Sequence, residues 1–229
     1  MFAKIIDYLI SCTPLGGIKK YRILREVGTF LDLNPRQVLL FGRDLFNQVS
    51  EGESVYNEKK IICRYAYVST TPLKKFNPVF QIVTKGNVLD YGSGIGMCFD
   101  EIRKKKEYKK YFLDIPGPAF DFVQWKYPDG EFLIAPDAEL GKNKFDLIVI
   151  TDVLEHLSDP VQVLQNIISA IKPGGYVLYF FSENTSKPGH LPESIKKKPE
   201  CDLMLKEQFT RVCKLPYLPD VDFLQKQIF

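Results

Sequence analysis

The sequence predicts an α/β protein built on a doubly wound, mostly parallel sheet, with a C-terminal antiparallel hairpin and a helical N-terminal extension. Two observations carry the fold class. From Val88 onward, short apolar runs alternate with segments of helical pattern, the order that lays helices on both faces of a parallel sheet. Several of those runs, Phe145 to Thr151 above all, are apolar without strict alternation, as strands covered on both faces require. A third observation marks a ligand site. Asn87-Val88-Leu89-Asp90 leads into Tyr91-Gly92-Ser93-Gly94-Ile95-Gly96, and glycine at alternate positions lets the backbone turn tightly and approach a ligand closely.

The elements follow in chain order. Lys4 to Ile10 is amphipathic, and Asn34 followed by Pro35 makes an N-cap and first-turn pair opening a helix over Arg36 to Val49. Residues 1–70 therefore read as a helical cap or lid, with turn-rich breaks at Glu51 to Ser54 and Thr70 to Pro72. A soft boundary near Thr71 separates them from a second unit, residues 71–229. Closing over a ligand and simply capping the sheet are equal readings of that extension. Strands are expected at Asn87 to Asp90, Tyr111 to Asp114, Glu131 to Ile134, Phe145 to Thr151 and Tyr176 to Phe181, with crossover helices within Gly96 to Lys110 and Pro160 to Ile171. A polar loop, Ser182 to His190, leaves room for one more helix. Phe209 to Leu215 and Asp222 to Phe229, joined across Pro216 and Pro219, make the hairpin. In such a Rossmann-like sheet, ligands gather at the carboxyl ends of the strands, where Gly92, Gly94 and Gly96 fall.

Composition narrows the function classes. At 229 residues the chain is long enough for one α/β domain and an appendage. Against 28 acidic residues, 31 basic ones leave a net charge of +3, too small a field to argue for nucleic acid or an anionic membrane. Lys4 and Asp7 break the apolar N-terminus, which does not read as a signal peptide. No stretch approaches the roughly 18 apolar residues of a membrane span, so a soluble chain is expected. The five cysteines, Cys12, Cys63, Cys98, Cys201 and Cys213, are odd in number and lack C-x-x-C spacing. That argues against a zinc site or a disulfide framework and fits a reducing, cytoplasmic setting.

The glycine spacing is G-x-G-x-G, not the G-x-G-x-x-G of dinucleotide loops. Asp90, just before it, would repel a pyrophosphate but welcome a cationic ammonium group. Asp114 lies 24 residues beyond Asp90 (114 minus 90) at the end of the next strand, where a carboxylate can accept hydrogen bonds from ribose hydroxyls. Its other reading is a turn residue before Pro116. After the third strand comes Ala135-Pro136-Asp137-Ala138, in which Asp137 would also pass as a helix N-cap. Phe145 to Pro160 reads F-D-L-I-V-I-T-D-V-L-E-H-L-S-D-P, and Ile171 to Leu178 reads I-K-P-G-G-Y-V-L, where Pro and paired Gly stop a helix and reverse the chain.

Taken in this order, the motifs resemble those of class I S-adenosylmethionine-dependent methyltransferases of the small-molecule type, over about residues 86 to 181. The resemblance implies S-adenosylmethionine as cofactor and S-adenosylhomocysteine as product. It implies binding by Asp90, Gly92, Ser93, Gly94, Gly96, Asp114, Ile115, Asp137, Ala138, Thr151 and Asp152, with Asp90 nearest the methionine end and Asp137 reading adenine. The implied activity is methyl transfer to an O, N or C atom of a small-molecule acceptor by in-line displacement. A non-catalytic binding module acting through the N-terminal helices is the alternative from another class, and the glycine spacing disfavours an NAD-dependent oxidoreductase.

Because a sulfonium methyl is already electrophilic, positioning the acceptor and excluding water can supply most of the rate. A base matters for a hydroxyl or protonated amine, and the two histidines, His156 and His190, are the candidates, each with a purely structural alternative. Asp152, Glu155 and His156 form a D-x-x-E-H set. It resembles the E-x-x-E-H metal ligands of ubiquinone-pathway O-methyltransferases and small-RNA 2′-O-methyltransferases, with Asp152 departing from their Glu. A metal-assisted O-methyltransferase is thus a further alternative to a metal-free site. Thr151-Asp152-Val153-Leu154 replaces the D/N-P-P-Y/F motif of DNA amino-methyltransferases. The basic runs Arg103 to Lys106, Lys109-Lys110 and Lys196 to Lys198 read as solvated helix ends. A small-molecule partner is therefore expected over nucleic acid, and a homo-oligomer stays open.

Overall fold

The structure is a computed structural model and describes residues 16–48, 59–68, 76–187, 189–215 and 218–228. The described part of the extension is helical: α1 (Gly16–Leu31), α2 (Pro35–Gln48) and α3 (Ile61–Val68). At the start of α2 the Gln37 N–H donates to Asn34 Oδ1 (3.0 Å) and the Asn34 N–H to Gln37 Oε1 (2.9 Å). This reciprocal box satisfies two otherwise orphaned donors. Ile23, Leu24, Val27, Val38, Ile61 and Ile62 close a core that also takes in Ile95 and Phe122 from the sheet unit. Lys4 to Ile10, Glu51 to Ser54, Thr70 to Pro72 and the boundary near Thr71 lie outside the described residues.

The sheet unit opens with α4 (Asn77–Ile82) and continues β1 (Gly86–Tyr91), β2 (Tyr108–Asp114), α5 (Pro118–Lys126), β3 (Glu131–Ile134) and β4 (Phe145–Thr151). There follow α6 (Pro160–Ala170), β5 (Ile171–Phe180), α7 (Pro192–Ile195), α8 (Lys198–Gln208), β6 (Phe209–Leu215) and β7 (Leu218–Lys226). Among the described residues the strands form one sheet in the order β3-β2-β1-β4-β5-β7-β6. β1 to β5 are parallel, and β7 runs antiparallel to both β5 and β6. Leu89, Ile148, Ile150 and Val177 face α6 and α8, while Val88, Phe112, Leu147 and Val149 face α4 and α5. Strand order reverses between β1 and β4, which opens a crevice at their carboxyl ends. Among the described residues, no helix is long and apolar enough to cross a membrane.

Several details depart from the expectations. Gly96 to Lys110 holds no regular helix. It descends through i→i+3 turns, with Asp100 N–H on Met97 O, Ile102 N–H on Phe99 O and Lys105 N–H on Ile102 O. The Ile95 and Gly96 carbonyls that would start a helix are engaged by the side chains of Lys126 and Tyr127. β2 begins three residues early, at Tyr108, a buried residue whose hydroxyl donates to Val83 O (2.8 Å). Lys109 and Lys110 consequently lie in a strand and pair with Glu131 and Asp129, not at a helix end.

The P-G-G turn is a bulge inside β5: Ile171 pairs with Phe145 and Tyr176 with Leu147, so residues 172–175 loop out between two ladder positions, and Phe181 falls just beyond the strand. Two helices, α7 and α8, stand where one was expected. In the hairpin, β7 starts at Leu218 and includes Pro219. A strand proline is tolerated there because the ladder to β5 begins only at Asp222. Pro216 lies outside the described residues.

Candidate functional site

The crevice is built first by the loop that follows β1. The Gly92 and Ser93 N–H groups both donate to the Leu113 carbonyl (2.8 and 3.1 Å), folding the loop back over the end of β2. Gly92, Gly94 and Gly96 all have left-handed backbones, with φ of 73°, 53° and 66°. Their surroundings differ. A Cβ on Gly92 would lie 2.3 Å from Val153 Cγ2, and one on Gly96 2.7 Å from Tyr127 Cε2. One on Gly94 would meet, among the described residues, Tyr65 Cε1 of α3 at 3.9 Å and nothing nearer. Gly92 and Gly96 are needed for packing, whereas Gly94 has room for a side chain among the described residues.

Asp114 ties β2 to this loop. Its Oδ2 accepts from the Gly94 N–H (2.7 Å) and its Oδ1 from the Ile115 N–H (2.8 Å), which leaves lone pairs on both oxygens. Burial raises its pKa, and the two backbone donors oppose the rise. Asp90 is buried at the end of β1, and among the described residues its Oδ2 has no hydrogen-bond partner. Burial pushes its pKa up to about 8; the Cys98 thiol opposes, the neighbouring Asp114 adds to the rise, and Lys126 opposes it more weakly. Ser93 Oγ is likewise buried without a partner there. A buried acid with an oxygen unpartnered among the described residues, beside a side-chain-free backbone, suits a ligand with a positive charge and a flat nucleoside.

The remaining expected residues are placed around this cluster. Ile115 is exposed beside Asp114, and the Ala135 N–H donates to the Asp114 carbonyl (3.0 Å). That bond brings the exposed Asp137 and the half-buried Ala138 after β3 next to the end of β2. Thr151 ends β4 opposite Phe180. Asp152 has φ 55° and is exposed, with its Oδ1 3.5 Å from Lys187 Nζ.

A second cluster forms where the single-turn 3₁₀ segment Leu154–His156 meets the loop after β5. The Leu191 N–H donates to Glu155 O (2.8 Å) and Ser194 Oγ to Leu154 O (2.7 Å), pinning the two segments together. His156 Nδ1 lies 2.8 Å from the Gly189 carbonyl, an acceptor, so in the neutral ring Nδ1 carries the proton and Nε2 the lone pair. Gly189 has φ 78°, and a Cβ there would lie 3.1 Å from that nitrogen. Glu155 is fully buried; Oε1 accepts from the Ser182 N–H, while Oε2 has no partner among the described residues. Burial raises its pKa to about 7. His190 Nε2 lies 3.9 Å from Glu155 Oε1, and the His190 ring stands edge-on to His156 at 4.7 Å. Its Nδ1 is buried without a partner there, and burial followed by the nearby His156 lowers its pKa.

One ligand atom each from Glu155, His156 and His190 lies within 4.8 Å of the others. Of the D-x-x-E-H set, Glu155 and His156 belong to this close group among the described residues, and Asp152 does not. A D-x-x-E-H run treats the turn as a regular helix, but the left-handed backbone at Asp152 and the short 3₁₀ turn direct its carboxylate to Lys187. The third member of the group is His190, 34 residues beyond His156 (190 minus 156). Sequence reasoning also passed over Tyr65, which faces Gly94, and Lys126, which sits beneath the loop. Each looks like an ordinary residue of an amphipathic helix.

The parallel part of the sheet carries one acid before its glycine loop and another ending the next strand. A family model described as a methyltransferase domain matches residues 64–202, more than half of the chain. The chain belongs to this methyltransferase-domain family. The ubiquinone biosynthesis O-methyltransferase of Coxiella burnetii is 30% identical over 137 residues, which cover 52% of this chain and 56% of that protein. Its counterpart in Hydrogenovibrio crunogenus is 25% identical over 121 residues, covering 47% and 50%. The chain thus spans about half the length of the curated relatives it matches. The solved [4+2]-cyclase SpnF superposes with a TM-score of 0.51 at 12% identity, over 69% of this chain and 82% of that one, a likeness of fold alone.

Proposed function

We propose that this chain binds S-adenosylmethionine and transfers its methyl group to a small-molecule acceptor at O, N or C. The observation that carries the reading is Asp90, a buried carboxyl with an oxygen unpartnered among the described residues, four positions before Gly94, whose Cβ position no described atom approaches closer than 3.9 Å. S-adenosylmethionine supplies a methyl group already activated by its sulfonium. In this reading Asp90 meets the cationic methionine end, and Asp114 uses its remaining lone pairs on the ribose. Gly92, Ser93, Gly94 and Gly96 shape the loop. Ile115, Asp137 and Ala138 border the adenine, and Thr151 and Asp152 complete the wall. Among the described residues Cys63, Cys201 and Cys213 form no disulfide, which fits a cytoplasmic setting.

The relatives' name favours an oxygen acceptor for this chain too. His156, oriented by Gly189, then takes the acceptor's hydroxyl proton on Nε2 as the new O–C bond forms, and His190 with Glu155 holds the turn. Calorimetric titration with S-adenosylmethionine and S-adenosylhomocysteine tests the cofactor; binding is expected at micromolar concentration and its loss in Asp114→Ala. Absence of binding by either ligand removes the reading.

One observation favours a second, metal-assisted reading. Glu155 Oε2 and His190 Nδ1 are both buried and unpartnered among the described residues, within the same close trio as His156. A divalent cation would satisfy them, and two imidazoles with one carboxylate suit a transition metal better than Mg2+. Dialysis against EDTA decides between the two. Activity that survives it leaves His156 as the base, and activity restored by added metal makes the trio its ligands.

A further inference from the structure

The glycine loop rests on a buried ammonium. Lys126 ends α5 with its side chain fully buried, its Nζ 2.8 Å from Asp100 Oδ1, 3.2 Å from the Ile95 carbonyl and 3.5 Å from the Gly96 carbonyl. The Tyr127 hydroxyl lies 2.7 Å from the same Gly96 carbonyl and 2.9 Å from Asp100 Oδ1, sharing its one proton between them. Asp100 in turn meets Arg22 of α1 at 3.0 Å, and Glu26 of α1 meets Arg103 at 2.5 Å. Burial alone would raise the pKa of Asp100; Lys126 and Arg22 outweigh it and hold Asp100 below its ordinary value, a carboxylate.

Taking an ammonium out of water is costly, and an apolar side chain of similar volume would avoid the cost. The charge is matched here to groups an apolar side chain cannot hold. Ile95 and Gly96 would ordinarily offer their carbonyls to the first turn of a crossover helix. That helix is absent, and Lys126 and Tyr127 hold the carbonyls from below instead.

We propose that Lys126 is a positioning residue for the cofactor loop: its ammonium, held by Asp100, fixes the Ile95 and Gly96 carbonyls and with them the path from Gly92 to Gly96. Through Asp100 and Arg22 that path also depends on α1. The inference rests on reading the loop as the cofactor site.

Selective 15N-glycine labelling of the full chain tests it, together with titration by S-adenosylhomocysteine. In Lys126→Met the amide resonances of Gly92, Gly94 and Gly96 should shift while Gly141 and Gly174 stay. S-adenosylhomocysteine affinity should fall about tenfold to a hundredfold, the range for losing hydrogen bonds to a charged group. A merely structural lysine would lower the melting temperature yet leave the loop resonances and the affinity of the folded protein unchanged, and that result overturns the proposal. Should Lys126→Met fail to fold, Asp100→Asn and Tyr127→Phe carry the same test, with Gly96 expected to move most in Tyr127→Phe. If the native chain binds neither S-adenosylmethionine nor S-adenosylhomocysteine, the cofactor reading falls. The glycine resonances then decide the loop's dependence on Lys126, unmoved resonances overturning it.

Discussion

A carboxyl group buried with one oxygen unpartnered is tolerable when it is neutral or when a cation meets it. Asp90 satisfies the first condition in the free protein, since burial lifts its pKa to about 8. An ordinary aspartic acid titrates near about 3.9. Because the folded value is the higher one, the stability this group contributes is fully present below the unfolded value and is lost as pH rises through about 8. Asp90→Asn should therefore raise the melting temperature of the ligand-free protein more at pH 9 than at pH 5, while abolishing cofactor binding; an equal gain at both pH values would contradict the assignment. The glycines divide in a comparable way. Gly92→Ala drives a Cβ to 2.3 Å from Val153 and should destabilise the fold strongly. Gly94→Ala costs about 1 kcal/mol for its left-handed backbone and should leave the protein folded but unable to bind S-adenosylhomocysteine. Denaturant melts and calorimetry on the pair would separate the two roles, and binding retained by Gly94→Ala would remove Gly94 from the site.

Elements whose signals are local were legible in the sequence. Asn34, Pro35 and Gln37 lie within four residues, and the box they form starts α2 one residue before the expected position. Asn34→Ala should cost about 1 kcal/mol in a denaturant melt, and no measurable loss would mean that packing alone holds the helix. Elements decided by distant partners were not legible. Gly96 to Lys110 has helical composition, but Lys126 and Tyr127, about 30 residues downstream, take its first carbonyls. Tyr108 joins β2 because its hydroxyl reaches Val83. The same limit governed the candidate site. Asp90, the glycines and Asp114 announce themselves by spacing along one strand–loop–strand unit, whereas His190 reaches Glu155 and His156 only because Leu191 and Ser194 pin the loop after β5 to the 3₁₀ turn.

At the scale of the whole molecule, the N-terminal helices and the sheet share a core and a charge network. Ile95, from the glycine loop, and Phe122, from α5, are buried among residues of α1, α2 and α3. Phe122 meets Phe30 edge-on and the tilted ring of Trp125, at 5.4 and 5.6 Å between ring centroids, and Arg22 and Glu26 reach across to Asp100 and Arg103. Helices that share a core with the glycine loop cannot separate from it without exposing Ile95 and Phe122, so helices and sheet are expected to unfold as one cooperative unit. Trp125 is the one tryptophan in the chain and sits at this junction. Its fluorescence should therefore report the same transition as far-ultraviolet circular dichroism, and S-adenosylhomocysteine should shift both together. Phe122→Ala removes the shared ring at a cost of about 3–5 kcal/mol. It should split the melt, with the fluorescence change preceding the loss of sheet signal, and should weaken S-adenosylhomocysteine binding because the helices no longer brace the loop. A melt that stays single and an affinity that stays unchanged would mean that the sheet holds the cofactor loop unaided and that the helices are only a cover.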